Sequence, residues 1–227
     1  MYILVVDDDP FANMLVKFVL DKEGYEVETA DNPRGALQLI QKRVPDLLLL
    51  DVKMPYQTGF EFSQKLRTDG YDIALIFMTA QDGIESKLQG FKIGADDYIC
   101  KPFVHEELVA RVHAVMRRVK NRSKIGNQSL RGGRVELFPA DLRVSVSGKE
   151  ATPLTHTEMQ VLRILMGSVN QVVSRDLLLS EVWHDDENNS NIVDVYIRRL
   201  RVKIEDDPYK PQHILSIRGT GYKFIGK

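Results

Sequence analysis

The fold of this chain is decided by the stretch LLLLDVKMP at residues 47–55. Four leucines in a row, bounded by Pro45-Asp46 and by Pro55, are typical of a short strand that is buried on both faces. The run ends on Asp51, and a carboxylate at the end of such an apolar strand is costly unless a cation pairs with it. The stretch therefore predicts a central strand with a charged site at its carboxyl end.

Three other apolar segments also run into polar side chains. Residues 3–6 are followed by Asp7-Asp8-Asp9, residues 73–78 by Thr79, and residues 98–100 by Lys101. If the sheet is parallel, these strand ends share one edge, where open α/β sheets carry their functional groups. Carboxylates, an ammonium and a hydroxyl together suit a hard divalent cation and a phosphoryl group.

Residues 1–120 alternate between strand and helix patterns five times. Asn32 precedes Pro33 as Asp9 precedes Pro10, and each pair is a helix start. The later helices are expected at 59–68, 84–93 with Gly94 as the stop, and 104–119. This alternation predicts a doubly wound α/β domain with a five-stranded parallel sheet that is covered on both sides.

Composition limits the function classes. The chain has 227 residues, which is enough for two domains, and 28% of them are charged, so a disordered chain is not expected. No apolar run approaches about 18 residues and no signal peptide is visible, so we expect a cytoplasmic protein without a membrane span. The single cysteine, Cys100, permits neither an internal disulfide nor a cysteine metal cluster.

The motifs of the first half resemble the receiver domain of bacterial response regulators. The resemblance rests on Asp7-Asp8, Asp51 with Met54-Pro55, Thr79-Ala80, Gly94-Ala95-Asp96-Asp97-Tyr98 and Lys101-Pro102-Phe103. It implies the CheY-like strand order 2-1-3-4-5 and a phosphoryl group accepted on Asp51 from a histidine kinase.

The resemblance also assigns roles to individual residues. Mg²⁺ would be bound by Asp8 and Asp51, by Asp7 through water, and by the main-chain carbonyl of Lys53. Lys101 and Thr79 would contact the phosphoryl oxygens, and Thr79 and Tyr98 would form the switch. The Lys101-Pro102 bond is expected to be cis. By the same resemblance, phosphorylation favours a homodimer through the charged residues Lys87, Asp96, Asp97, Glu107, Arg111 and Arg118.

The second half has a different pattern. Residues 121–129 form a polar linker, and residues 130–227 begin with short strands at 134–138, 142–146 and 150–154. Thr155 and Glu158 form a capping box that opens a helix, Ser174 caps a second helix, and a third spans about 191–205. A hairpin at 214–218 and 222–225 follows. This order predicts an α+β winged helix-turn-helix domain.

The third helix has an apolar face and a basic face. Val193, Ile197, Leu200 and Ile204 form one stripe, which is expected to be core. The opposite face carries Asn191, Val195, Arg198, Arg199 and Val202, which suit base edges in a major groove. Arg201 and Lys203 lie on the flanks and are expected to contact phosphates. Arg218, before the Gly219-Thr220-Gly221 turn, is expected at a minor groove.

This half resembles the OmpR/PhoB-type effector domain, through Val193-Asp194-Val195, 197–201 and 218–222. The family often has Arg-Thr where this chain has Asn191-Ile192, which leaves the DNA sequence preference open.

The sequence therefore predicts a DNA-binding regulator of a two-component system rather than an enzyme. Its expected partners are a sensor histidine kinase, promoter DNA, a second copy of the chain and, as a further candidate, RNA polymerase. Two alternatives remain open: a regulator controlled by protein contacts without phosphate, and an aspartyl-phosphate phosphotransferase. The second alternative lacks an acid two residues after Asp51, where Lys53 stands.

Overall fold

The computed structural model describes residues 1–80, 94–122, 128–183 and 191–226, and the side chains of all of these except residues 121 and 122. The chain divides into two compact units, Met1–Val119 and Lys120–Lys227. The predicted helix at 84–93, with Lys87, lies outside the described residues. No helix in the described ranges is long and apolar enough to cross a membrane.

The first unit is a doubly wound α/β domain with the predicted strand order. The sheet is parallel throughout and runs β2-β1-β3-β4-β5. Its described elements are β1 (Tyr2–Val6), α1 (Pro10–Lys22), β2 (Glu26–Ala30), α2 (Pro33–Lys42), β3 (Leu47–Asp51), α3 (Gly59–Thr68), β4 (Ala74–Ala80), β5 (Asp97–Lys101) and α4 (His105–Arg122). The last helix extends two residues into the predicted linker.

The leucine strand is the centre of the sheet, as predicted. All five residues of β3 are buried, and because side chains alternate across a strand, they supply both faces. Leu47 and Leu49 join a core cluster with Val16 of α1 and Val112 of α4. Burial of each such side chain contributes about 1.5–3 kcal/mol.

Close packing on the other face brings α3 to the site. The α3 residue Gly59 donates its N–H to the Val52 carbonyl over 3.0 Å. A Cβ at Gly59 would stand only 2.1 Å from the carbonyl oxygen of Asp51 and 3.1 Å from Cγ of Leu50. Only glycine therefore allows α3 to begin this close to the carboxyl end of β3.

The second unit is the predicted winged helix-turn-helix domain. In the described part of this unit, a four-stranded antiparallel sheet precedes three α-helices, and a second sheet has the order β10-β12-β11. Its elements are β6 (Leu130–Gly132), β7 (Val135–Phe138), β8 (Arg143–Val146), β9 (Thr152–Pro153), α5 (His156–Gly167), β10 (Val172–Ser174), α6 (Arg175–Val182), α7 (Ile192–Ile204), β11 (Ile214–Ile217) and β12 (Gly221–Phe224). The short strands β6 and β10 were not predicted.

The helix starts of this unit agree with the sequence. Thr155 caps α5: its hydroxyl accepts the main-chain N–H of Glu158, and the Glu158 carboxylate accepts the N–H of Thr155, which completes the capping box. Ser174 accepts the N–H of Leu177 at the start of α6. In α7 the four residues of the predicted apolar stripe are buried: Val193, Ile197, Leu200 and Ile204. The apolar spacing alone was enough to orient this helix.

Candidate functional site: an acid and lysine cluster in the first unit

The carboxyl ends of β1, β3 and β5 converge on one cluster. Lys101 Nζ lies 2.5 Å from Asp51 Oδ1 and 2.5 Å from Asp7 Oδ2. Asp7 and Asp51 are buried, and Lys101 is half-buried. The parallel sheet therefore brings together residues that stand far apart in the sequence, as the strand ends predict.

Asp8 completes a set of three carboxylates. One oxygen each of Asp7, Asp8 and Asp51 lie within 4.8 Å of one another, and Asp8 is the exposed member. Oxygen ligands at this spacing, with one side open to water, fit Mg²⁺, which is bound by one or two carboxylates and keeps several waters. The donor set thus matches the expected cation site.

The pKa values of Asp51 and Lys101 are set by burial and by the contacts that these two residues make with each other and with Asp7. Burial raises the pKa of the Asp51 carboxyl, and the neighbouring Asp7 adds to this effect. Hydrogen bonding to Lys101 and to the main-chain N–H of Lys53 opposes the rise. For Lys101, burial disfavours the ammonium, but its hydrogen bonds to Asp51 and Asp7 outweigh burial and raise its pKa.

Asn13 holds the end of β1 and was missed in the sequence. Its buried amide donates to the carbonyl oxygen of Asp7 over 2.8 Å and to that of Ala30 over 3.1 Å. The Asp7 carbonyl belongs to the peptide bond between Asp7 and Asp8. This contact therefore holds the stretch of backbone from which both carboxylate side chains project. A signal existed, since an asparagine stands on the face of α1 that Val16 and Leu20 bury. Asp9 caps α1 through the Phe11 N–H, as expected.

The two expected switch residues stand on neighbouring strands, Thr79 on β4 and Tyr98 on β5. Thr79 is buried, and its hydroxyl donates to the carbonyl of Ala80 over 3.1 Å. The ring of Tyr98 is buried with its centroid 5.4 Å from that of Phe77. The Lys101-Pro102 bond is cis, as expected.

Among the charged residues expected at a dimer face, those that the structure describes make contacts within this chain, and Lys87 lies outside the described residues. Arg111 contacts Asp97 over 3.1 Å and Glu107 over 3.0 Å. The side chains of Asp96 and Arg118 are buried, and Arg118 donates to the Asp96 carbonyl. Arg111 and Arg118 of α4 thus contact the start of β5, and pairing across a dimer stays a prediction.

Candidate functional site: the basic face of the second unit

Three cations of α7 that are predicted to contact DNA also make contacts within the second unit. Arg199 lies 2.6 Å from Oε1 of Glu158, and Lys203 lies 2.6 Å from Oε2. Lys203 also donates to the Pro153 carbonyl. Arg201 donates to the Ile214 carbonyl over 2.7 Å and to the hydroxyl of Ser216. These side chains contact α5, β9 and β11 and are half-buried, and their contacts with DNA stay a prediction.

The fully buried Glu158 explains the contacts of Arg199 and Lys203. Burial alone would raise its pKa, but the charges of Arg199 and Lys203, with the hydrogen bonds from Lys203 and Thr155, lower it. A buried carboxylate needs such partners, and residues four apart on one helix can meet the same group. A helical wheel gives the direction in which a residue of α7 points, but it does not show that Glu158 of α5 lies on that side.

The other predicted DNA contacts remain accessible. Asn191, Arg198 and Arg218 are exposed, Val195 is half-buried and Val202 is 64% exposed. Arg198 contacts the hydroxyl of Tyr209 over 3.4 Å.

A third cluster joins α6, α7 and the hairpin and was not predicted. Arg175 lies 3.0 Å from Asp194, and the Tyr222 hydroxyl donates to the same carboxylate. Burial, followed by the contact with Asp194, raises the pKa of Tyr222 to about 12, so its hydroxyl stays protonated. Gly221 is required beside it, because a Cβ there would lie 2.1 Å from the Val173 carbonyl oxygen.

A phosphoacceptor-like α/β unit and a winged helix in one chain define a two-domain signalling regulator. Residues 3–113 match the response regulator receiver domain, and residues 148–224 match the domain described as transcriptional regulatory protein, C terminal. The chain belongs to the response regulators that combine these two domains.

Relatives and solved structures agree with this membership. The chain is 37% identical over 231 residues to the alkaline phosphatase synthesis transcriptional regulatory protein SphR of Synechococcus elongatus, covering 97% of this chain and 90% of the relative. A probable transcriptional regulatory protein of Picosynechococcus sp. is also 37% identical, with 98% and 92% covered.

Among solved structures, a mutant of RitR has a TM-score of 0.81 at 28% identity, covering 100% of this chain and 99% of that one. The response regulator DrrB of Thermotoga maritima, described as an OmpR/PhoB homolog, has a TM-score of 0.50 at 34% identity, with 99% of each covered.

Proposed function

We propose that this chain is a phosphorylation-dependent, DNA-binding transcriptional regulator that accepts a phosphoryl group on Asp51 from a sensor histidine kinase. The observation that carries the proposal is the Asp51 carboxylate, buried at the end of β3 and held 2.5 Å from Lys101. A carboxylate oxygen of Asp51 attacks the phosphorus, the P–N bond of the phosphohistidine breaks, and the imidazole leaves. An acyl phosphate on Asp51 is the product.

The chain's own residues supply positioning and charge for this transfer. Lys101 pairs with the phosphoryl oxygens, and the Thr79 hydroxyl donates a hydrogen bond to them. Both contacts stabilise the charge that develops in the transition state. Asp7, Asp8, Asp51 and the Lys53 carbonyl would hold Mg²⁺, which neutralises phosphoryl charge when bound.

The output is proposed to be DNA binding by the second unit. In this scheme Thr79 moves toward the phosphoryl group and Tyr98 moves behind Thr79. The two residues form a two-state element, and the added phosphoryl charge shifts the balance between its states. The phosphorylated chain forms a homodimer and binds promoter DNA. Asn191, Val195 and Arg198 of the α7 region contact the major groove, Arg218 contacts the minor groove, and RNA polymerase is a further proposed partner.

Removal of divalent cations tests the acid cluster directly. Incubation of the full chain with radiolabelled acetyl phosphate and Mg²⁺ is expected to label the protein, and excess chelator is expected to lower the rate by about 100-fold or more. Restoring Mg²⁺ should restore the rate. Labelling at an unchanged rate in saturating chelator would contradict a role for the three carboxylates in binding a cation.

A further inference from the structure

Arg175 lies between the two elements that the proposed function assigns to DNA. It is the first residue of α6, and its main-chain N–H donates to the Thr220 carbonyl at the hairpin turn over 3.4 Å. Its guanidinium reaches Asp194 in the first turn of α7, next to Val195. The side chain therefore stands at the junction of α7 and the hairpin.

Two partners orient the guanidinium. Nε and Nη2 donate to Oδ1 of Asp194 over 3.3 and 3.0 Å, and Nη2 also donates to the Tyr222 hydroxyl over 3.2 Å. The central carbon lies 4.9 Å from the centre of the Tyr222 ring. Because the guanidinium is planar, contacts along one edge also fix the direction of the other edge.

The other edge of Arg175 is open. In the part of the chain that the structure describes, Nη1 makes no hydrogen bond, and 36% of the side chain is exposed. A guanidinium held on one side and open on the other is suited to an anionic oxygen acceptor such as a phosphate. Arg199, Arg201 and Lys203 are committed to acceptors within the protein.

We propose that Arg175 is a DNA phosphate contact, oriented by Asp194 and Tyr222, at the backbone between the groove that receives α7 and the groove that receives the hairpin. The inference rests on the proposed function, because it requires that this unit binds duplex DNA. Asp194 acts as a positioning residue and also reduces the net charge that the contact presents. Tyr222 packs beneath the guanidinium and fixes it to the hairpin.

The salt dependence of binding separates a phosphate contact from a structural role. Each phosphate neutralised changes the slope of log K against log salt concentration by about 0.9. With the full-length chain and a duplex selected from a random pool by that chain, Arg175→Ala is expected to make the slope shallower by about 0.9 per bound subunit. The same change is expected on a duplex of unrelated sequence. An unchanged slope would overturn the proposal, even if affinity fell.

Two further variants protect the test from a folding defect. Arg175→Lys keeps the charge, so it is expected to retain the slope while losing affinity through the lost contacts with Asp194 and Tyr222. Asp194→Asn keeps an acceptor but removes the opposing charge, so binding at low salt is expected to tighten. Loss of the slope in the lysine variant, or weaker low-salt binding by the asparagine variant, would contradict the proposal.

Arg143→Ala is the matched control. Arg143 is exposed on β8, and its guanidinium donates to the carbonyl of Ala151, which directly precedes β9. The same change of charge there is expected to leave the slope unaltered, and an equal loss of slope would refute a local contact by Arg175. Failure of the wild-type chain to bind any duplex would instead refute the proposed function.

Discussion

We expect Asp51→Asn to abolish phosphoryl incorporation from acetyl phosphate while both units remain folded. The amide has nearly the shape of the carboxylate but is not a nucleophile at phosphorus, and it removes one ligand of the proposed cation site. The loss should exceed that of any other single exchange in the cluster, because Asp51 is the proposed partner of the bond to phosphorus. The measurement is radiolabel per mole of full-length chain, with thermal unfolding recorded in parallel.

Asp9→Asn is the control for this variant. Asp9 lies two residues after Asp7, and its side chain caps α1 through the Phe11 N–H, which asparagine does equally well. The control is expected to be labelled like the wild-type chain. Normal labelling of Asp51→Asn would show that another residue accepts the phosphoryl group.

The second large effect is expected at Glu158, where glutamine should destabilise the second unit by about 3 kcal/mol. The exchange leaves Arg199 and Lys203, which are 15% and 23% exposed, without the charge that compensates them. Trp183 is the only tryptophan of the chain and packs against Tyr196 of α7, with ring centroids 5.2 Å apart. Its fluorescence during denaturation therefore reports the unfolding of this unit within the full chain.

The control uses the other capping box of the protein. Glu61 has the same position at the start of α3 as Glu158 has in α5, but it is exposed, and among the described residues its carboxylate accepts hydrogen bonds only from Thr58. Glu61→Gln is expected to leave the tryptophan transition where it is. Equal shifts in the two variants would mean that capping, and not the buried ion cluster, is what Glu158 contributes.

The stability difference at Glu158 should also depend on pH. Its pKa is lower in the folded chain than its usual value, so its contribution is complete above the pKa of the unfolded chain, about 4.3. The contribution is lost as the pH falls through the lower, folded pKa. The gap between wild type and Glu158→Gln is therefore expected to narrow in acid.

The sequence predicts the fold well where periodicity and chain direction decide it. The carboxyl ends of neighbouring parallel strands lie along the same edge of a sheet. Asp7, Asp51 and Lys101 stand at the ends of β1, β3 and β5, so the sheet brings them together. In the same way, the spacing of Val193 and Ile204 on α7 fixed its buried face. These inferences needed only regular geometry.

The sequence fails where one long side chain finds a partner on another element. Arg199 and Lys203 had a predicted face on α7, but nothing local marks Glu158, which is 41 residues from Arg199, as their acceptor. Asn13 and Arg175 were missed for the same reason. Each makes its decisive contact with a group that only tertiary packing brings near.

The central claim is that modification of Asp51 changes how tightly the second unit binds DNA. The most direct measurement is the affinity of the full chain for a duplex selected from a random pool, with and without Mg²⁺ and beryllium fluoride as the phosphoryl mimic. The account predicts that the mimic tightens binding by about 5- to 150-fold, the usual range for coupled sites, together with dimer formation. Equal affinity and equal self-association in both states, over a range of protein concentrations, would contradict it.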